Sequence, residues 1–266
     1  LERFRGRDWE GALRLIERHR VTHTHMVPTM FHQLLALPDD VRARYDVSSL
    51  HNVLHGAAPC PVRVKQRLIE WLGPVVNEYY AATEGPGTYV ASEEWLTKPG
   101  TVGRPHTPDH VRIIGPDGED VPAGEVGTIY LKAPERGRFD YFKDPDKTAG
   151  SYLDDHFTMG DVGYLDEDGY LFLTDRSANL IISGGVNIYP AEVEEALWPH
   201  PAVADVAVIG VPDPDWGETV LAAVQVRPGV VADDRLAAEL IEHCREHLAR
   251  YKCPRRIDFV DGLPRT

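Results

Sequence analysis

Asp175-Arg176-Ser177-Ala178-Asn179-Leu180-Ile181-Ile182-Ser183-Gly184-Gly185-Val186-Asn187-Ile188-Tyr189-Pro190-Ala191-Glu192-Val193-Glu194 decides how this chain is read. It runs from a polar turn through an apolar strand, a glycine corner and a second strand to a helix. Pro190 suits the first helical turn, where its missing N–H costs nothing, and Glu192 and Glu194 suit the positive end of the helix. Ser183-Gly184-Gly185 exposes backbone amides without side-chain bulk. That fits a plain hairpin turn, and it also fits a narrow channel for a thiol-bearing arm. The Arg176 guanidinium has the fork geometry to pair with phosphate or ribose oxygens; without its context it reads as a surface arginine.

Downstream, the composition predicts a small α+β domain. Ala191–Leu197 reads as a short helix, and Val203–Gly210 and Val220–Val226 as strands joined by Pro212-Asp213-Pro214-Asp215. Asp233 or Asp234 caps a helix with the stripe Leu236, Leu240, Ile241, Cys244 and Leu248. Ile257–Val260 is a last strand. His243 and His247 have metal-like spacing, but with no third ligand evident they read as a solvent-facing pair. His23 and His25 are similarly weak metal candidates. Arg250-Tyr251-Lys252-Cys253-Pro254-Arg255-Arg256 is a basic island that fits either an anionic ligand or a solvated helix end.

Upstream, residues 100–175 carry recurring turn signals, such as Pro116-Asp117-Gly118 and Asp168-Gly169, between short β-prone runs. They predict a β-rich subdomain of hairpins. Residues 1–90 alternate helix and strand, which predicts a parallel α/β sheet. Helices are expected over Asp8–Arg20, Thr29–Leu37 (capped by Thr29) and Pro61–Leu72, and strands over Val21–Val27, Asn52–Ala57 and Pro74–Tyr80. The fold class is therefore α/β and α+β. A large parallel-sheet portion with a β-rich subdomain (residues 1–175) is followed by a small α+β domain (176–266).

Three upstream stretches bear polar or small residues at strand ends, where open α/β sheets bind ligands. Asn77-Glu78-Tyr79-Tyr80-Ala81-Ala82-Thr83-Glu84-Gly85 offers a ring to stack on a base, a hydroxyl for a phosphate and a carboxylate for magnesium. The same residues fit a buried tyrosine pair and a solvated turn equally well. His55-Gly56-Ala57-Ala58-Pro59 lets backbone approach a flat ligand, or is only a tight strand-to-helix turn. In Thr158-Met159-Gly160-Asp161-Val162-Gly163, Asp161 has two acceptor oxygens for ribose hydroxyls, or serves as a turn residue.

Taken together, these stretches resemble the acyl-CoA synthetases (fatty-acid and aryl-acid CoA ligases) of the acyl-adenylate-forming, AMP-binding superfamily. The likeness runs from Val27-Pro28-Thr29 to Leu263-Pro264-Arg265-Thr266. It is most specific in Asp175–Glu194 and then in Tyr80-Ala81-Ala82-Thr83-Glu84, which is similar to the family's aromatic-Gly-x-Thr-Glu element. The resemblance implies an AMP-forming ligase using ATP, Mg²⁺ and coenzyme A on a small carboxylic acid, with fatty acids favoured and aryl acids close behind. It implies that Gly56, Ala57, Ala58 and Tyr80 line the adenine site, Thr83 meets the α-phosphate, Glu84 holds magnesium, Asp161 takes the ribose and Arg176 the ribose or phosphates. Thr83, Glu84 and Arg176 are the expected catalytic residues. Ser183, Gly184 and Gly185 would line the pantetheine tunnel, and Ala178 stands at the hinge, where the family has Asp or Lys. Ala81 replaces the family's glycine, which implies a narrower acyl pocket. Rival readings are an adenylating enzyme with a carrier-protein acceptor and a non-catalytic nucleotide- or CoA-binding module.

Bulk properties are consistent with this. Hydrophobic content of 42% and charged content of 26% are ordinary for a soluble globular protein. The net charge of −14 argues against broad binding to nucleic acid or an anionic membrane. Cys60, Cys244 and Cys253 show no paired spacing, which predicts a reduced, cytoplasmic setting, and no segment reads as a transmembrane helix. Both ends look cut. By the resemblance, a phosphate loop would precede Leu1 and the Gly-Lys bearing the catalytic lysine would follow Thr266, so the 266 residues alone are expected to be inactive. Oligomeric state is not encoded legibly.

Overall fold

The computed structural model describes residues 8–134, 138–176 and 179–263, except for the side chains of Asp175 and Arg176. The chain divides into two compact units, residues 1–159 with 163–173, and residues 160–162 with 174–266.

The first unit opens with α1 (Trp9–His19), whose first turn is capped by Asp8 accepting from Gly11 N at 2.8 Å. There follow β1 (His23–Met26), α2 (Pro28–Ala36), α3 (Asp39–Arg42), β2 (Asn52–His55), α4 (Val62–Leu72), β3 (Val76–Ala82), β4 (Gly85–Val90) and α5 (Ser92–Thr97). The sheet order is β1-β2-β3-β4. The first three strands are parallel and β4 returns antiparallel on β3. Phe31, Leu34, Val53, Leu68, Val76 and Trp95 form its buried core. The expected cap of α2 is not Thr29. Val27 holds the cap position with no side-chain bond, and Pro28, with its preset φ, opens the helix.

Turn-rich sequence then forms β5 (Thr101–Gly103), β6 (Val111–Ile114), β7 (Gly127–Lys132), α6 (Pro145–Gly150), β8 (Tyr152–Leu153), β9 (His156–Phe157), β10 (Asp161–Leu165) and β11 (Leu171–Arg176). They make a sheet of order β5-β11-β10-β7-β9-β8, with β6 on β7. The start of β10 and the end of β11 belong to the second unit. The alternation of buried and half-buried residues along β7 puts Ile129 and Leu131 in the core with Val111, Phe157 and Leu171.

The second unit continues with β12 (Ile181–Ser183), β13 (Val186–Ile188), α7 (Pro190–Leu197), β14 (Val203–Asp213), β15 (Gly217–Val226), α8 (Asp234–His247) and β16 (Arg256–Phe259). Its sheet runs β13-β12-β15-β14, and β16 lies parallel to β15. Asp233 caps α8 by accepting from Leu236 N at 2.9 Å. Leu236, Leu240 and Cys244 turn inward to meet Val193, Leu197, Val206 and Val224. Among the described residues, no helix is long and apolar enough to cross a membrane.

Candidate functional site

The carboxyl ends of β2 and β3 carry the first group of candidate residues. Gly56 follows β2 directly, and a Cβ there would lie 2.8 Å from the Tyr79 ring and from Tyr79 O, so only glycine lets the two strands approach this closely. Ala57 takes a left-handed backbone, φ 68°, which turns the chain sharply away from the strand. Next to this turn, Tyr79 is tied to β1 by a hydrogen bond between its hydroxyl and His25 Nε2 at 3.0 Å. Tyr80 points the other way, half-buried against the β-rich core of Val102, Ile129, Leu131 and Phe157.

Thr83 and Glu84 are the two residues of a hairpin turn, not the start of a loop. Ala82 pairs with Gly85 and Tyr80 with Thr88, with a bulge between. β4 was not expected, because Gly85-Pro86-Gly87 reads as a breaker. Its glycines are there for space. A Cβ on Gly85 would lie 2.7 Å from the Phe157 ring, and one on Gly87 would lie 1.8 Å from Tyr80 O. Glu84 accepts a hydrogen bond from the Tyr141 hydroxyl at 3.3 Å. Burial, and then the Glu84 carboxylate, push the Tyr141 phenol up. That leaves Tyr141 a firm donor and the second Glu84 oxygen available to a cation. Tyr141 also lines an open cleft of about 570 Å³, with Phe139, Lys143, Asp144, Thr148 and Tyr152. Sequence reasoning passed over Tyr141; the only signal was its aromatic neighbourhood, Phe139-Asp140-Tyr141-Phe142.

Asp161 and Arg176 are brought together by a hairpin. β10 begins at Asp161 and the next strand, β11, ends at Arg176. The turn between them closes through Asp166 N to Tyr170 O at 2.9 Å, and Thr174 Oγ1 donates to Val162 O at 3.0 Å. The backbone therefore sets the two residues at one end of the sheet. Asp161 is buried, at 7% exposure. The Arg176 side chain lies outside what is described, as does Ala178 at the expected hinge.

Ser183, Gly184 and Gly185 form the corner of the β12–β13 hairpin. Gly184 and Gly185 both have positive φ, 59° and 80°, as its tight corner requires. The corner rests on the β14–β15 turn. Gly184 N donates to Trp216 O at 2.8 Å, and a Gly184 Cβ would lie 2.6 Å from the Trp216 ring. The guanidinium of Arg255 covers that indole at 4.7 Å. Of the basic island, then, Arg255 reaches the glycine corner through Trp216. Lys252 is instead spent on Glu192 of α7, at 2.6 and 2.8 Å, and Arg256 pairs with Asp258. Trp216 was not foreseen, because a lone tryptophan in a Pro-Asp-rich turn carries no periodic signal.

The model of the AMP-binding enzyme family matches residues 1–138, and that of the AMP-binding enzyme C-terminal domain matches 192–266. The chain belongs to the AMP-binding enzyme family. Among curated relatives, 96% of the chain is 40% identical to a feruloyl-CoA synthase from Amycolatopsis, over 51% of that protein. Likewise, 96% of it is 38% identical to a long-chain-fatty-acid–CoA ligase from Bacillus subtilis, over 45% of that protein. The chain thus spans about half the length of the curated relatives it matches. Among solved structures, an amide bond synthetase from Marinactinospora thermotolerans superposes with a TM-score of 0.86 at 36% identity, covering 99% of this chain and 52% of that one.

Proposed function

We propose that the protein is an ATP-dependent acid–CoA ligase that forms an acyl-adenylate and then an acyl-CoA thioester. The observation that carries this reading is the β3–β4 hairpin tip, where Thr83 and Glu84 stand together and Glu84 is oriented by Tyr141. In the first half-reaction an oxygen of the acid's carboxylate attacks the α-phosphorus of ATP and pyrophosphate leaves. The Thr83 hydroxyl donates to an α-phosphate oxygen, Tyr80 and the Gly56–Ala58 turn line the adenine site, and Asp161 and Arg176 hold the ribose and phosphates. The second Glu84 oxygen would hold a magnesium ion, which would supply neutralisation of phosphate charge. In the second half-reaction the thiol of coenzyme A attacks the acyl carbon and AMP departs. Ser183, Gly184 and Gly185 line the path of its arm, and Ala178 serves as the hinge of the change between half-reactions.

Fatty acids are the proposed substrates, supported by the likeness to the Bacillus ligase at 38% identity; the feruloyl-CoA synthase, at 40%, makes aryl acids the alternative. Three unpaired thiols, at Cys60, Cys244 and Cys253, support a cytoplasmic setting. The likeness to an amide bond synthetase favours one second reading, in which the acyl-adenylate is handed to an amine. Mass spectrometry of the full-length protein with Mg-ATP, coenzyme A, an amine and a mixed pool of fatty and aryl acids separates these. A coenzyme A-dependent thioester supports the ligase and its mass identifies the acid. An amide supports the second reading, and absence of any acyl product counts against both.

A further inference from the structure

The second unit also carries imidazoles and carboxylates that the proposed chemistry leaves unused. His243-Cys244-Arg245-Glu246-His247 closes α8. Cys244 faces the core, so its neighbours in the run lie on the flanks and outer side of the helix. One ligand atom from each of His243, Glu246 and His247 lies within 4.8 Å of the other two. His243 is not the solvent-facing residue its spacing suggested. It is half-buried between the rings of His200, 5.1 Å away, and His247, 4.7 Å away, and its Nε2 is buried with no hydrogen-bond partner.

The tautomers are set by the surrounding hydrogen bonds. His247 Nδ1 lies 2.8 Å from the backbone oxygen of His243. A carbonyl only accepts, so Nδ1 carries the proton and Nε2 presents its lone pair. A backbone carbonyl fixing the other nitrogen is the usual support of a metal-ligating histidine. His200 is fixed the opposite way. Its Nδ1 accepts from Ala202 N at 3.3 Å, so its Nε2 donates to Glu239, 3.2 Å away. His200 therefore flanks the cluster without a lone pair to give it.

We propose that His243, Glu246 and His247 bind a divalent first-row transition-metal ion, zinc above all. Two imidazoles and a carboxylate with one open position suit zinc and its neighbours, whereas calcium and magnesium prefer oxygen alone. Donors around a tetrahedral zinc stand about 3.4 Å apart. With His247 held by its bond to the His243 backbone, the exposed Glu246 side chain is the donor left to rotate inward from a separation of up to 4.8 Å. The ion would sit at the carboxyl end of α8, where unpaired carbonyls favour a cation.

Chelator-stripped full-length protein is titrated with zinc against a chromophoric chelator, and with cobalt(II) followed by visible absorption. One ion per chain is expected, with a zinc-dependent rise in melting temperature. His247→Ala and Glu246→Gln, both at exposed positions, are expected to weaken zinc binding by about 100-fold and about 10-fold. Glu242→Gln, whose partner is Arg245 at 3.0 Å, should leave it unchanged. Binding below one ion per chain, or equal binding by His247→Ala and the unaltered protein, overturns the proposal. None of these readouts depends on ligase activity.

Discussion

Replacing Lys65 by Met should destabilise the first unit by about 3–5 kcal/mol. Lys65 is fully buried on α4 and donates from Nζ to Glu78 Oε2 of β3 at 2.7 Å, with Glu78 itself 5% exposed. Burial is the largest influence on both partners, pushing the lysine down and the carboxyl up against their mutual attraction. Removing the ammonium leaves Glu78 in an apolar site, with His55 Nε2 at 3.6 Å. The cation–π contact to Trp95 at 4.7 Å is lost too, although a methionine sulfur replaces part of it. For a unit of this size the loss corresponds to a fall in melting temperature of about 6–20 °C. Because desolvation outweighs attraction on both sides, Lys65→Met with Glu78→Leu should recover most of the loss, and it can exceed the original stability by about 1–4 kcal/mol. Urea denaturation followed by circular dichroism measures all three proteins. A single variant costing less than about 1 kcal/mol, the level of a surface pair, would refute the reasoning. So would a double variant as unstable as the single one.

Other consequences are equally direct. Glu84→Gln should lower acid-dependent pyrophosphate exchange by about 10²–10³-fold, and Tyr141→Phe should lower it less, with both proteins still folded; unchanged exchange in Glu84→Gln removes the carboxylate from the site. Gly184→Ala forces a Cβ to within 2.6 Å of Trp216 at a φ of 59°. It should slow thioester formation about tenfold, the effect of about 1.4 kcal/mol, while adenylation continues; equal losses in both half-reactions contradict the assignment of this corner to coenzyme A. His55 is buried and its pKa is lowered from 6.5 to about 3, chiefly by burial. The unfolded state therefore binds the extra proton between those values. The contribution is fully present above pH 6.5 and is lost by about 1.4 kcal/mol per pH unit as pH falls toward 3. His55→Gln should flatten that slope in denaturation curves from pH 6.5 to 4, and an unaltered slope counts against it.

Local signals carried most of the fold. The stripe of α8 and its Asp233 cap are written in consecutive residues, and so is the glycine corner at Gly184-Gly185. What the sequence concealed depends on distant partners. β4 reads as a breaker until the Tyr80 backbone and the Phe157 ring explain why Gly87 and Gly85 need room. Lys65 interrupts an apolar stripe and looks exposed until Glu78, across the helix–sheet interface, accounts for its burial. The candidate residues themselves were named through motif resemblance. Their supports, Tyr141 under Glu84 and Trp216 under Gly184, were not, because a single aromatic residue on a loop carries no period.

The central claim is tested most directly with an acid labelled with ¹⁸O in both carboxylate oxygens, incubated with the full-length protein, Mg-ATP and coenzyme A. Attack by the carboxylate on the α-phosphorus followed by thiolysis at the acyl carbon predicts AMP carrying one ¹⁸O atom and a thioester keeping the other. Unlabelled AMP, or ADP with labelled phosphate, would contradict it.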